Sequence, residues 1–344
     1  MKSLFQRTKM LDEAKQGIIK KDEVVTEPLK PNGHNVIVEI LIFIVVLLVV
    51  NIVSTLPIGV SETVSLMSNE QYIALTQQLS NGEITVNEYK VAVTDLGMGL
   101  SSNLVLPTLL TTGITTILVM VFCRFIEKRK LSSMGFRKSG AVKEYLVGVG
   151  IGIGIFTVCV GICLITGGLK FEGISKPLNV GMILLYLLGF LIQGMSEETV
   201  FRGYLMVSVT RRSPVAVAVI VSSLMFACGH LLNPGISVIA FINITLFGAF
   251  MGIYILKRGN IWGACAIHSL WNFVQGNLYG ISVSGMNKLD SIINMSIVEG
   301  KDLINGGSFG LEGGLPVTIV IVIGTVIILL TKTKKEEISE ETNM

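Results

Sequence analysis

The sequence predicts an all-α, polytopic membrane protein of about eight transmembrane helices with both termini cytoplasmic, and three observations carry this. Of the 344 residues, 51% are hydrophobic and only 15% charged, with a mean hydropathy of +0.70, whereas soluble domains carry about a quarter charged residues. Eight apolar stretches recur, at 36–55, 103–123, 145–166, 179–209, 214–232, 236–256, 261–279 and 316–331. Lys and Arg fall on one side: with the N-terminus inside, the inner segments hold 22 and the outer segments 5, the bias expected of cytoplasmic loops. This composition, with a net charge of only +3, argues against a cytoplasmic enzyme or a nucleic-acid binder.

Residues 1–35 form a polar, mixed-charge cytoplasmic arm without the apolar core of a cleavable signal, so the run from Val36 to Thr55 reads as an uncleaved anchor. Segment 36–123 holds two N-terminal helices joined by a long outer loop. Within that loop Asn69 to Leu79 reads as a capped amphipathic helix over the bilayer or as a solvated spacer. Segment 130–280 is the polar-site-bearing core. Segment 281–315 is an outer loop rich in Gly, Ser and Asn with no readable chemistry, and 316–344 is the last helix with a cytoplasmic tail.

Gly148, Gly150, Gly152 and Gly154 lie inside an apolar span with no strand before them, so they are not a phosphate cradle. The pairs Gly150/Gly154 and Gly248/Gly252 are expected to bring helices close. Cys123, Cys159, Cys163, Cys228 and Cys265 sit in or beside apolar runs and read as buried thiols.

A charged side chain in a span costs about 2.5 to 3.5 kcal/mol and so asks for a partner or a task. Glu39, near the inner end of the first span, can snorkel to the headgroups. In Ser196-Glu197-Glu198-Thr199-Val200-Phe201-Arg202, the i,i+4 spacing pairs Glu198 with Arg202. Glu197 projects about 100° away and has no basic partner on its own helix. Two of the three histidines also lie in spans: Phe226 and His230 share one helical face, and so do His268 and Asn272. These residues come from three separate spans, which points to one converging polar site.

At these residues the chain resembles the CAAX prenyl endopeptidase and bacteriocin-processing family of intramembrane proteases, also called the abortive-infection family. Its motifs E-E-x-x-x-R, F-x-x-x-H and H-x-x-x-N are similar to Glu197–Arg202, Phe226–His230 and His268–Asn272. Gly248, Gly252, Tyr254 and Gly259 to Trp262 resemble the spacer between the second and third motifs, and Met134 to Arg137 resembles a segment before the core. The resemblance covers about residues 130–280. It implies cleavage of a peptide bond inside a helical cavity in the cell membrane. The substrate implied is a membrane-associated or lipidated peptide, or one bearing a leader, as in bacteriocin processing and self-immunity.

The residues fit that chemistry. A buried carboxylate suits the water-activating base, so Glu197 is assigned that role with His230 holding the water. His268 and Asn272 can donate to the developing oxyanion, while Glu198 and Arg202 orient the helix or the substrate backbone. No cofactor is required on this reading. A zinc reading competes, in which Glu197, His230 and His268 supply two imidazoles and one carboxylate and leave an open position for water. Two other classes compete: a proton-coupled transporter, disfavoured because the polar residues cluster in 197–272 with no counterpart in the first half, and a non-catalytic immunity or scaffold protein. Counting about 1.5 Å per residue places Glu197, Asn272 and His230 at unequal depths, which tilt or a bend near Gly203 must reconcile.

Overall fold

Asn35 accepts a hydrogen bond from the Val38 backbone N–H and starts the first helix, α1 (Val36–Met67). The helix runs through Pro57 and ends well beyond Thr55, so the expected anchor is longer than its apolar run. The structure, a computed structural model, describes residues 33–101 and 104–331. Most of the N-terminal arm and the tail after Thr331, both expected to be cytoplasmic, lie outside the described residues.

Two short helices follow. Asn69 caps α2 (Glu70–Ser80) by accepting from Gln71 and Tyr72, as its sequence suggested, and α2 buries none of its residues. Thr85 and Glu88 cap α3 (Val86–Ser101) reciprocally: Glu88 accepts from the Thr85 N–H at 2.8 Å and the Thr85 hydroxyl accepts from the Glu88 N–H at 3.2 Å. The Thr85 N–H holds the Glu88 carboxyl below its usual range.

The remaining long helices are α4 (Val105–Val121, continuing as a π-turn over Phe122–Ile126), α5 (Ala141–Ile165), α6 (Val180–Glu198), α7 (Val215–Cys228), α8 (Val238–Arg258), α9 (Trp262–Phe273) and α10 (Leu315–Leu330). Each expected apolar stretch thus holds one helix. Five are long and apolar enough to cross a membrane: α1, α4 with its π-turn, α5, α6 with its continuation to Thr210, and α8. Two, α7 and α10, are apolar but shorter. The outward face of α1 exposes Ile37, Leu41, Val45, Leu48 and Ile52, a surface suited to lipid.

The fold is mostly helical but not purely so. Strands β1 (Leu169–Ile174) and β2 (Ile293–Ile297) pair antiparallel, with Leu169 opposite Ile297 and Ile174 opposite Ile293. Each is too short to announce itself and gains its backbone partners only from a segment more than 100 residues away.

Helix α9 is the centre of the bundle, with every residue from Gly263 to Asn272 buried. It is reached through glycines. A Cβ on Gly148 would strike the Gly263 carbonyl, and one on Gly152 would lie 2.7 Å from the Ile267 carbonyl, so these two let α5 lie against α9. Gly150 and Gly154 have nothing within 4 Å. The expected close pair is therefore offset by two residues onto the opposite face. Gly248 and Gly252 do pack closely, against Ser223 and Arg202 and against Met206 and Val219. Glu39 does not snorkel either. It is 1% exposed and paired with Arg211 at 3.0 Å, and Arg211 also reaches Glu127 at 2.6 Å.

Candidate active site

Helix α6 ends at Glu198 and continues as π-helix over Thr199–Met206, then one α-turn to Thr210. Widening of this kind is frequent at functional sites, and here it begins at the residue after the acidic pair and includes Gly203.

The pairing expected from i,i+4 spacing is present: Arg202 Nη1 donates to Glu198 Oε1 at 3.1 Å, both side chains fully buried. The same carboxylate oxygen accepts from His268 Nδ1 at 2.8 Å. The Arg202 guanidinium lies over the Phe226 ring, 4.4 Å from its centroid. Phe226 in turn meets His230 at 4.8 Å and His268 at 5.8 Å between ring centroids, both edge-on. One aromatic ring thus joins all three motifs, and Gly248 leaves the room, because a Cβ there would come within 2.8 Å of Arg202 Nη2.

Glu197 takes a separate path. Its Oε1 accepts from Gln193 Nε2 at 2.7 Å, one turn earlier on α6. Its Oε2 is 3.3 Å from His268 Nε2 but not aligned for a hydrogen bond, and has no hydrogen-bond partner among the described residues. Gln193 Oε1 accepts from Asn272 Nδ2 at 2.9 Å, so one amide couples Glu197 to Asn272. Sequence reasoning missed Gln193: it is a neutral amide in an apolar run, and only its place one turn before Glu197 hinted at a role.

His230 lies in the turn beyond the end of α7, not inside the span expected to reach residue 232. Its Nδ1 faces the Phe226 carbonyl at 2.9 Å. A carbonyl only accepts, so Nδ1 carries the proton and Nε2 is the nitrogen left to address the cavity. Among the described residues no three His, Cys, Asp or Glu side chains gather as a metal-binding group. The trio Glu197, His230 and His268 is not such a group.

Glu197, His230, His268, Asn272 and Gln193 line one cavity of about 210 Å³. Glu198 and Arg202 stand behind it, fully buried. The far wall departs from expectation. Segment 281–315, read as chemically silent, brings Ser284 and Glu312 into the lining. Trp271 Nε1 donates to Glu312 Oε1 at 3.2 Å, and Asn243 Nδ2 donates to the Glu312 carbonyl at 2.8 Å.

The sequence segments flanking the motifs also dock here. Ile261 N donates to the Gly135 carbonyl at 3.0 Å and Trp262 Nε1 to the Arg137 carbonyl at 2.9 Å, while Asn260 Oδ1 accepts from Trp262 N. These bonds fix the start of α9 and so the height of His268.

Residues 179–274 match the family model of the type II CAAX prenyl endopeptidase, Rce1-like. The matched span contains Glu197, Glu198, Arg202, His230, His268 and Asn272 and leaves out Glu312. No curated protein and no solved structure matches the chain. This integral membrane protein therefore carries, at residues 179–274, an Rce1-like type II CAAX prenyl endopeptidase domain.

Proposed function

We propose that the protein is an intramembrane endopeptidase that hydrolyses one peptide bond of a membrane-associated, lipidated or leader-bearing peptide, with Glu197 as the base. The observation that carries this is Oε2 of Glu197, which has no hydrogen-bond partner among the described residues, on a side chain that lines the cavity and whose other oxygen is fixed by Gln193. A carboxylate held by one oxygen and unbonded at the other is oriented to take a proton from water. His230 Nε2, unprotonated in the neutral ring, accepts the water's second hydrogen and fixes its direction.

The attacked carbonyl gains negative charge, and the donors for it come from α9. Asn272 spends one N–H on Gln193 and keeps the other. For His268 Nε2 to donate, the ring carries both protons, and the carboxylates of Glu197 and Glu198 supply the opposing charge. Each donor of this kind is worth about 10² to 10³ in rate. Glu197 then passes its proton to the leaving amine, and the free acid and amine are released. Glu198 and Arg202 position His268 and do not touch the substrate. The chemistry needs only these side chains and water. The chain crosses the cell membrane with all eight apolar helices and keeps both termini in the cytoplasm, as the 22 to 5 distribution of basic residues supports.

The test uses Glu197→Gln protein purified from membranes, with bound peptides identified by mass spectrometry. Wild-type protein given the same peptides in H₂¹⁸O should yield two fragments, with ¹⁸O in the new carboxylate. Peptides that bind the variant yet stay intact with the wild type would contradict the proposal.

A further inference from the structure

Among the described residues four glutamates are buried: Glu39, Glu144, Glu198 and Glu312. Three are paired with an arginine, Glu39 with Arg211 at 3.0 Å, Glu144 with Arg258 at 2.6 Å and Glu198 with Arg202 at 3.1 Å. No basic side chain among the described residues pairs with Glu312. Its carboxylate accepts instead from neutral donors: Trp271 Nε1 on Oε1 at 3.2 Å, and both the Ser284 N–H and the Ser284 hydroxyl on Oε2 at 2.7 Å. Neutral donors orient a carboxylate without cancelling its charge, and a charge kept from water without a counter-charge is what membrane interiors avoid.

The exception lies on the wall of the cavity that holds Glu197 and His268. Trp271, which grips Glu312, stands between His268 and Asn272 on α9, so Glu312 is tied to the helix that carries two of the reacting groups. Next to it Asn233 spends its Nδ2 on the Ser284 carbonyl at 2.9 Å, leaving its own carbonyl as an acceptor. Val283, Met286 and Phe247 supply apolar wall alongside. Acceptors at the tip and apolar atoms along the side match a long aliphatic stem that ends in a cation. The site is also preformed: Ser284 is held in the left-handed region at φ 47° by its two bonds to Glu312, and Gly310 packs where a Cβ would strike the Ser282 carbonyl.

We propose that Glu312, with Asn233 and Ser284, forms a subsite for a positively charged group of the peptide, an ammonium or guanidinium that completes the missing ion pair. This rests on the protease reading above for the identity of the ligand as a peptide, but not on Glu197 for its binding.

The probes are hydrophobic decapeptides in detergent micelles, each carrying one lysine at a varied position, with norleucine and glutamate twins and with free or acetylated N-termini. Two readouts are taken: cleavage by the wild type, and binding to Glu197→Gln protein. At one position the lysine peptide should be cleaved and bound at least about tenfold better than its norleucine twin. Glu312→Gln should bring that ratio within about twofold, while Glu312→Asp, which keeps the charge, retains a preference. A preference that follows the free N-terminus and not the lysine position identifies the terminal ammonium as the cation. A ratio near one in the wild type, a preference for the glutamate twin, or a lysine preference unchanged by Glu312→Gln overturns the subsite. Selective binding of the lysine peptide without cleavage by the wild type supports the subsite and overturns proteolysis instead.

Discussion

Glu197 and His268 meet across the contact between α6 and α9, with carboxylate oxygen Oε2 3.3 Å from ring nitrogen Nε2. Neither would hold that place alone. Gln193 fixes the other oxygen of Glu197, and Glu198 fixes the other nitrogen of His268. Two neighbouring acids on one helix are thus held differently: Glu198 bonds the imidazole from behind, and Glu197 keeps one oxygen without a hydrogen-bond partner among the described residues.

Gln193 joins Glu197 to Asn272 through both ends of its amide. Gln193→Leu keeps the volume and removes both bonds, so kcat should fall by about tenfold, or ~1.4 kcal/mol, with KM less affected. In an Asn272→Ala background the same change should have a smaller effect, because half of the bridge is already gone. Additive losses in the double variant would show that Gln193 acts independently of Asn272.

Gly194 sets the spacing between α6 and α9. A Cβ there would lie 2.5 Å from Ser269 Oγ and 2.6 Å from its backbone nitrogen, one residue past His268. Gly194→Ala should push α6 from α9 and cost activity together with about 1–3 kcal/mol of stability. Gly150→Ala, which meets nothing within 4 Å, should leave stability level or raise it by up to about 1 kcal/mol through helix propensity. Thermal unfolding in detergent compares them, and equal effects of the two substitutions would contradict the packing described.

That contrast shows where sequence reading stops. The pattern G-V-G-I-G-I-G satisfies the i,i+4 rule in two phases, and nothing in it says which face meets α9. The apolar runs were legible because a span must be long and continuous, and the Glu198–Arg202 pair because it is local. Glu39 was not, since its partner Arg211 lies 172 residues away. Glu312 was hidden more deeply: it sits in a glycine-rich loop 40 residues beyond Asn272, and only the tertiary fold carries it to the cavity. Glu197, His230, His268 and Asn272 line one cavity, but the amide of Gln193 that links Glu197 to Asn272 was hinted at only by its place one turn earlier on the helix.

Arg211 reaches Glu39 at 3.0 Å and Glu127 at 2.6 Å, all three side chains at most 7% exposed. Arg211→Met would leave the buried Glu39 without its arginine, while Glu127 keeps Arg129 at 2.8 Å, and should destabilise the protein by about 3–5 kcal/mol. Glu39→Gln, which leaves Arg211 one acid, should cost less. The reverse order in a denaturation series would show that the cluster does not hold α1 to the bundle.

Both ring nitrogens of His268 face carboxylates. Cleavage by purified protein should therefore survive exhaustive treatment with EDTA and 1,10-phenanthroline. Loss of cleavage that stoichiometric zinc restores would assign Glu197, His230 and His268 to a metal.

The most direct measurement is the single-turnover cleavage rate of Glu197→Gln against wild type, on a peptide both bind. The substitution is isosteric and retains an acceptor oxygen for Gln193, so binding and the unfolding midpoint should stay level while cleavage falls by at least about 10³-fold. A folded Glu197→Gln protein that cleaves within about tenfold of the wild-type rate would contradict the assignment of Glu197 as the base.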